Sequence, residues 1–110
     1  MDDALRQHRC SLLAPAIVAL MPALIEGKSH PARLREALPA LQQIRAIAEQ
    51  GADGIDNAAY ATWVSGAGAN LASIEAAVTA GDADAAFAAF RDAQTGLHLL
   101  TQGCEGTPGW

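Results

Sequence analysis

Apolar residues recur along this chain at spacings of three and four, and glycine, proline and aspartate interrupt the recurrence. Such spacing lines up one stripe of an α-helix, so the pattern predicts four helices. The first runs from Asp3 to Glu26 and stops at Gly27, a residue suited to the position after a helix. Pro15 and Pro22 lie inside it, which predicts a kink or a late true start near Ala14. The second begins at Pro31, with Ser29 or His30 as its cap, and runs to Gln50 before Gly51. Leu34, Leu38, Leu41, Ile44 and Ala48 form its stripe, and Pro39 should bend it locally. A Gly- and Asp-rich loop follows, with Asp56 placed to cap the third helix. There Tyr60, Val64, Ala67, Leu71, Ile74 and Val78 alternate spacings of four and three, a heptad seam. Gly66 and Gly68 soften its middle and leave room for a backbone or a ligand. Gly81 ends it. Asp82 caps a fourth helix whose inner side is Phe87, Phe90, Ala93, Leu97, Leu100 and Cys104, and Gly103 stops that helix.

Short connections make consecutive helices antiparallel neighbours. The expected fold is therefore all-α, an antiparallel up-down-up-down four-helix bundle. Residues 1–104 form a single domain, and 105–110 form an irregular tail. The start of the first helix and the end of the fourth then share one end of the bundle, which brings Cys10 near Cys104. Two readings follow: a disulfide in an oxidising compartment, or two small buried thiols.

Composition narrows the function classes. The chain has 110 residues, enough for one core, and a hydrophobic fraction of 51%, too high for a disordered segment. A net charge of -5 with scattered basic residues leaves no stripe to neutralise phosphates. Neither nucleic acid nor an anionic membrane surface is expected as a partner. The apolar run from Ser11 to Ile25 resembles a leader segment, but Asp2 and Asp3 precede it and no small-x-small site follows. It reads as the first helix of a cytoplasmic protein, with a periplasmic location as the alternative.

Three stretches carry a family likeness: Leu-Ile-Glu-Gly-Lys at 24–28, Ala-Gly-Asp at 80–82, and Ala-Ala-Phe-Ala-Ala-Phe-Arg at 85–91. With the Ala-rich second helix, they make the chain from about Ile17 to Leu100 resemble bacterial cytochrome c-prime. That family carries Cys-x-x-Cys-His on its fourth helix, where the thiols bond the haem and the histidine ligates iron. Aligned from Phe90, the corresponding stretch here is Leu97-His98-Leu99-Leu100-Thr101. Leucines replace both thiols and threonine replaces the ligand, so covalent haem attachment is excluded. The resemblance implies the fold without the activity. An emptied haem site costs about 24 cal/mol per Å3 of void. The interior should therefore close, with Leu97, Leu100, Met21, Trp63 and Phe90 filling it, unless a pocket persists.

Isolated residues point to little chemistry. His98 could ligate a non-covalent haem opposite Met21, or simply expose its polar edge at the border of the apolar stripe. His8 and Cys10 are two residues apart and diverge on a helix. Asp53, Asp56, Asp82 and Asp84 lack the ordered pattern of a calcium loop and read as caps. No nucleophile has a local base partner, and the Gly-x-Gly at 66–68 lies within a helix. The chain is thus expected to be non-enzymatic and cofactor-free, a structural or interaction protein that forms a homodimer through its first two helices. The homodimer follows family habit and the nearly all-round apolar surface of the first helix. The alternative is a carrier of a small molecule or non-covalent haem in the interior, around Met21, Trp63, Gly66, Phe90 and His98. Trp110 ends the tail with no core assigned to it.

Overall fold

The computed structural model describes residues 4–92 and 96–110, and of His98 only the backbone. Among these residues every regular element is helical and no strand occurs. The elements are α1 (Ala4–Glu26), α2 (Pro31–Leu34), α3 (Ala37–Glu49), α4 (Ala58–Thr79), α5 (Ala83–Phe90) and α6 (Leu100–Gly103). A 3-10 turn over Leu97–Leu99 leads into α6.

The two long helices, α1 and α4, are each about 33 Å long at a rise of 1.5 Å per residue. The chain measures 45 × 24 × 20 Å, so both must follow its long axis. α1 packs chiefly against α3, α3 against α4, and α4 against α5 and α6. Between them lies one core that includes Leu13, Leu20, Leu24, Leu41, Ile44, Trp63, Leu71, Ile74 and Leu100.

Proline decides where two of these helices begin and continue. α1 is continuous from Ala4, so the late start near Ala14 is not found. Both of its prolines face outward, and so do Ser11 and Val18, four residues before them. The carbonyl groups that lose a partner there can be solvated. In the second helical region the expected bend becomes a break at Arg35–Glu36. A proline ring crowds the carbonyl four residues earlier, which for Pro39 is Arg35. Restarting at Ala37 puts Pro39 in a first turn, where its missing N–H has no intrahelical partner to lose.

Caps account for the other boundaries. Gly51 and Gly81 adopt φ of 78° and 75° behind α3 and α4, the left-handed conformation glycine supplies cheaply. Asp82 caps α5 by accepting from the Ala85 N–H at 3.0 Å, as the sequence predicts. α4 is capped by Asn57, not Asp56: the Asn57 Oδ1 accepts from the Tyr60 N–H at 2.9 Å.

The fourth helix departs most from expectation. α5 stops at Phe90, Arg91 and Asp92 are not helical, and the next described helical element begins at Leu97. Ala93 lies outside the described residues. The Gly96 N–H meets the Asp92 carbonyl at 2.9 Å, and a Cβ on Gly96 would stand 2.5 Å from that oxygen. Position 96 therefore requires a glycine. Farther on, Gly103 lies against the Tyr60 backbone, where a Cβ would sit 3.1 Å away, and this seats α6 on the start of α4.

Two arginines and a disulfide join the chain ends. Arg6 and Arg9 are buried although they sit on the first turns of α1. The Arg6 Nη1 donates to the carbonyl groups of Gly103 (3.0 Å) and Glu105 (3.2 Å). The Arg9 Nη1 donates to the Gly51 carbonyl at 2.7 Å, beyond the end of α3. Each guanidinium thus serves carbonyls left over at a helix terminus, and partnered burial of this kind is how arginine enters a core. Cys10 and Cys104 are bonded to each other with Cα atoms 5.5 Å apart, so neither is a thiolate ligand.

Candidate functional site

The tail after α6 folds back onto α1. Backbone bonds from Thr107 to Cys104 and from Trp110 to Thr107 curl it into turns, and Thr107 is buried. The Trp110 indole Nε1 then donates to the Cys10 carbonyl at 2.8 Å. The terminal tryptophan is therefore held by its own chain.

This placement closes one end of a groove of about 530 Å3 on the outer side of α1. Its floor is Ala14, Ile17, Val18 and Met21, successive turns of one helix. Phe90, Arg91, Leu97 and Thr101 form the facing wall, and Gly109 and Trp110 the end. Most of the lining is apolar, and it is open to water: Val18 is 67% and Met21 41% exposed. Ile25 continues the same face at 49% exposure. Ala14, Val18, Met21 and Ile25 are spaced four, three and four, the seam a helix offers to another helix or to a ligand.

Arg91 is the charged member of the lining. Its guanidinium carbon lies 5.6 Å from the centre of the Phe87 ring. Phe87 in turn stacks on Phe90 at 6.1 Å, and Lys28 lies 5.1 Å from the Phe87 ring while pairing with Asp84 at 3.5 Å. Cation–ring contacts at these distances hold a side chain in place. Among the described residues no carboxylate pairs with Arg91, whereas Lys28, Arg33 and Arg45 each face one.

The expected interior site is not assembled. Met21 points to solvent and Phe90 is half-buried in the outer groove, so neither fills the core. Met21 lies off the buried face of α1, which is Leu13, Ala16, Leu20, Ala23 and Leu24, and Phe90 is the last residue of α5. Trp63 is fully buried, packed edge-on against Tyr60 with ring centres 5.5 Å apart. Gly66 is half-buried on α4, away from the groove, and Gly68 meets no neighbouring atom. The His98 side chain lies outside the described residues. Leu97 and Leu100 are buried as expected, one of them reaching the groove wall.

Polar chemistry in the core is sparse. The Tyr60 hydroxyl and Trp63 Nε1 are buried without a hydrogen-bond partner, as is Asn70 Oδ1. The Asn70 amide nitrogen donates to the Ala89 carbonyl at 2.9 Å, tying α4 to α5. Burial pushes the Tyr60 hydroxyl above its ordinary pKa, and the nearby Arg9 charge offsets part of that shift. Among the described residues no three His, Cys, Asp or Glu side chains gather as a metal site.

No family model matches the chain, and neither does any curated protein or solved structure.

Proposed function

We propose that this protein is a non-enzymatic binding module that holds a small apolar molecule in the groove between α1 and the C-terminal segments. The observation that carries this reading is the exposure of Val18 and Met21 beside Phe90, Leu97 and Trp110 in one half-open cleft. Its volume falls within the range of about 300–1,000 Å3 typical of small-molecule sites. Surface apolar residues scattered singly need no explanation, but a contiguous concave set marks a place of contact. In this reading the carrier function moves from the interior, filled by Trp63 and Tyr60, to the surface. Non-covalent haem is not part of it, because Met21 and the core face opposite ways. Titration with the neutral dye N-phenylnaphthylamine tests the proposal. One saturable site is expected, lost in Val18→Glu; no saturable binding would overturn it.

A second reading is favoured by the four-three-four spacing of Ala14, Val18, Met21 and Ile25: self-association through α1. α3 would add little to such a dimer, since Gln42, Gln43 and Glu49 occupy its exposed side. Sedimentation equilibrium would show a dimer that Val18→Glu dissociates; a monomer at micromolar concentration would exclude it.

The same proposal takes α1, the α2–α3 pair, α4, and α5 with α6 as the four rods of an antiparallel bundle. The order of packing along the chain supports this. In the same proposal the chain is a haem-free relative of cytochrome c-prime, and the helix ends at Gly27 and Gly81-Asp82 are consistent with that reading. The Cys10–Cys104 bond favours an oxidising compartment over the cytoplasm, because such bonds are rare where thiols are kept reduced.

A further inference from the structure

We infer that the groove takes a single-chain carboxylate, with its aliphatic tail along α1 and its head group at Arg91; this rests on the binding reading above. The floor from Ala14 to Met21 covers two turns of one helix, about 10 Å at 1.5 Å per residue. An aliphatic tail of that length can lie along Ala14, Val18 and Met21, with Ile17 beside them. The groove is polar at few points, and Arg91 supplies its charge.

The two ends of the groove differ. Lys28, beyond the C-terminal end of α1, meets Asp84 and Phe87 of α5. Cys10, towards the opposite end, meets Cys104 and Trp110. The Arg91 guanidinium lies 5.6 Å from the same Phe87 ring that Lys28 contacts, so it belongs to the first end and the indole stop to the second. A cation at one end and an aromatic wall at the other match a molecule that is charged at one end and greasy at the other. Arg91 has no carboxylate of its own among the described residues, and the Phe87 face holds it at the groove. The net charge of -5 argues that any preference for an anion must come from a placed cation, since the chain as a whole repels anions. A guanidinium forks onto a carboxylate through two parallel bonds.

The test compares decanoate with decanol by isothermal titration calorimetry on the full chain, both below their aggregation limits. Decanoate should bind one to one. Decanol should bind about fivefold more weakly, the upper end for an exposed ion pair. Arg91→Gln should erase that difference while leaving decanol affinity unchanged. Shortening the acid should weaken binding about fourfold per methylene removed. Arg91 is exposed, so the variant should keep its fold, and its circular dichroism serves as the check. Equal affinity for acid and alcohol in the wild type would overturn the head-group assignment and leave the apolar groove standing. So would a preference for the acid that survives in Arg91→Gln. Binding of neither compound would overturn both the assignment and the binding reading.

Discussion

Reducing the Cys10–Cys104 bond should cost this protein a large part of its stability. The bond joins residues 94 apart. On the chain-entropy model, a loop of that length contributes about 4.7 kcal/mol by restricting the unfolded chain. The whole stability of a domain this size is about 5–15 kcal/mol. Unfolding entropy of about 2.1 cal/mol/K per residue gives about 0.23 kcal/mol/K for 110 residues, so the expected fall in Tm is about 20 °C. The assay is thermal unfolding followed by far-ultraviolet circular dichroism, with and without a phosphine reductant. The Cys10→Ala/Cys104→Ala double variant should melt close to the reduced protein, apart from the packing lost with two buried sulfurs. A fall below about 5 °C, equivalent to roughly 1 kcal/mol, would refute the loop-closure reasoning. So would a double variant as stable as the oxidised protein.

Other substitutions separate the remaining interactions. Asn57→Ala should cost about 1 kcal/mol through loss of the α4 cap, whereas Asp56→Ala, exposed and unused as a cap, should stay within about 0.5 kcal/mol; urea unfolding distinguishes them. Arg6→Met should cost about 1–3 kcal/mol, because the buried Gly103 carbonyl loses its donor, and the loss should appear as a lower urea midpoint at unchanged slope. Tyr60→Phe should be neutral or stabilising at neutral pH, since the hydroxyl it removes is buried and unpartnered. The pH dependence has a definite sign. The folded pKa of Tyr60 lies above its ordinary 10.0, so above that pH the unfolded chain releases the proton first. Tyr60's contribution is therefore constant below about pH 10 and is lost as the pH rises through the folded pKa. In Tyr60→Phe this alkaline loss should shrink, and an identical slope in both proteins would contradict the assignment.

Local signals made much of the helical pattern legible. Gly51 and Gly81 stop helices in the left-handed conformation that glycine supplies cheaply, Gly27 ends α1 where a Cβ would meet Leu34 at 2.9 Å, and the stripes of Leu34, Leu41 and Ile44 and of Tyr60, Ala67, Leu71, Ile74 and Val78 are buried. The break after Phe90 was not legible, because Phe87, Phe90, Leu97 and Leu100 keep a helical rhythm across it. Periodicity counts residues and does not register that Gly96 must approach the Asp92 carbonyl. Arg6 and Arg9 were equally hidden, since their partners are carbonyls 97 and 42 residues away. The groove was half visible. Met21 and Phe90 stood out by type, and the all-round apolar surface of α1 announced a face in need of cover. That Val18 and Ile25 stay open, and that Arg91 and Trp110 frame the opening, depends on how the tail returns to α1. No local spacing encodes that return.

The indole bond from Trp110 to the Cys10 carbonyl spans 100 positions of the chain, and the Arg6 bonds span nearly as many. Most helical proteins settle quickly because their contacts are local. Here α1 finds its anchoring partners about 100 positions along the chain, so these contacts form only after a long loop has closed. Closing that loop, rather than forming the local contact between α4 and α5 through Asn70, is the step expected to set the folding rate.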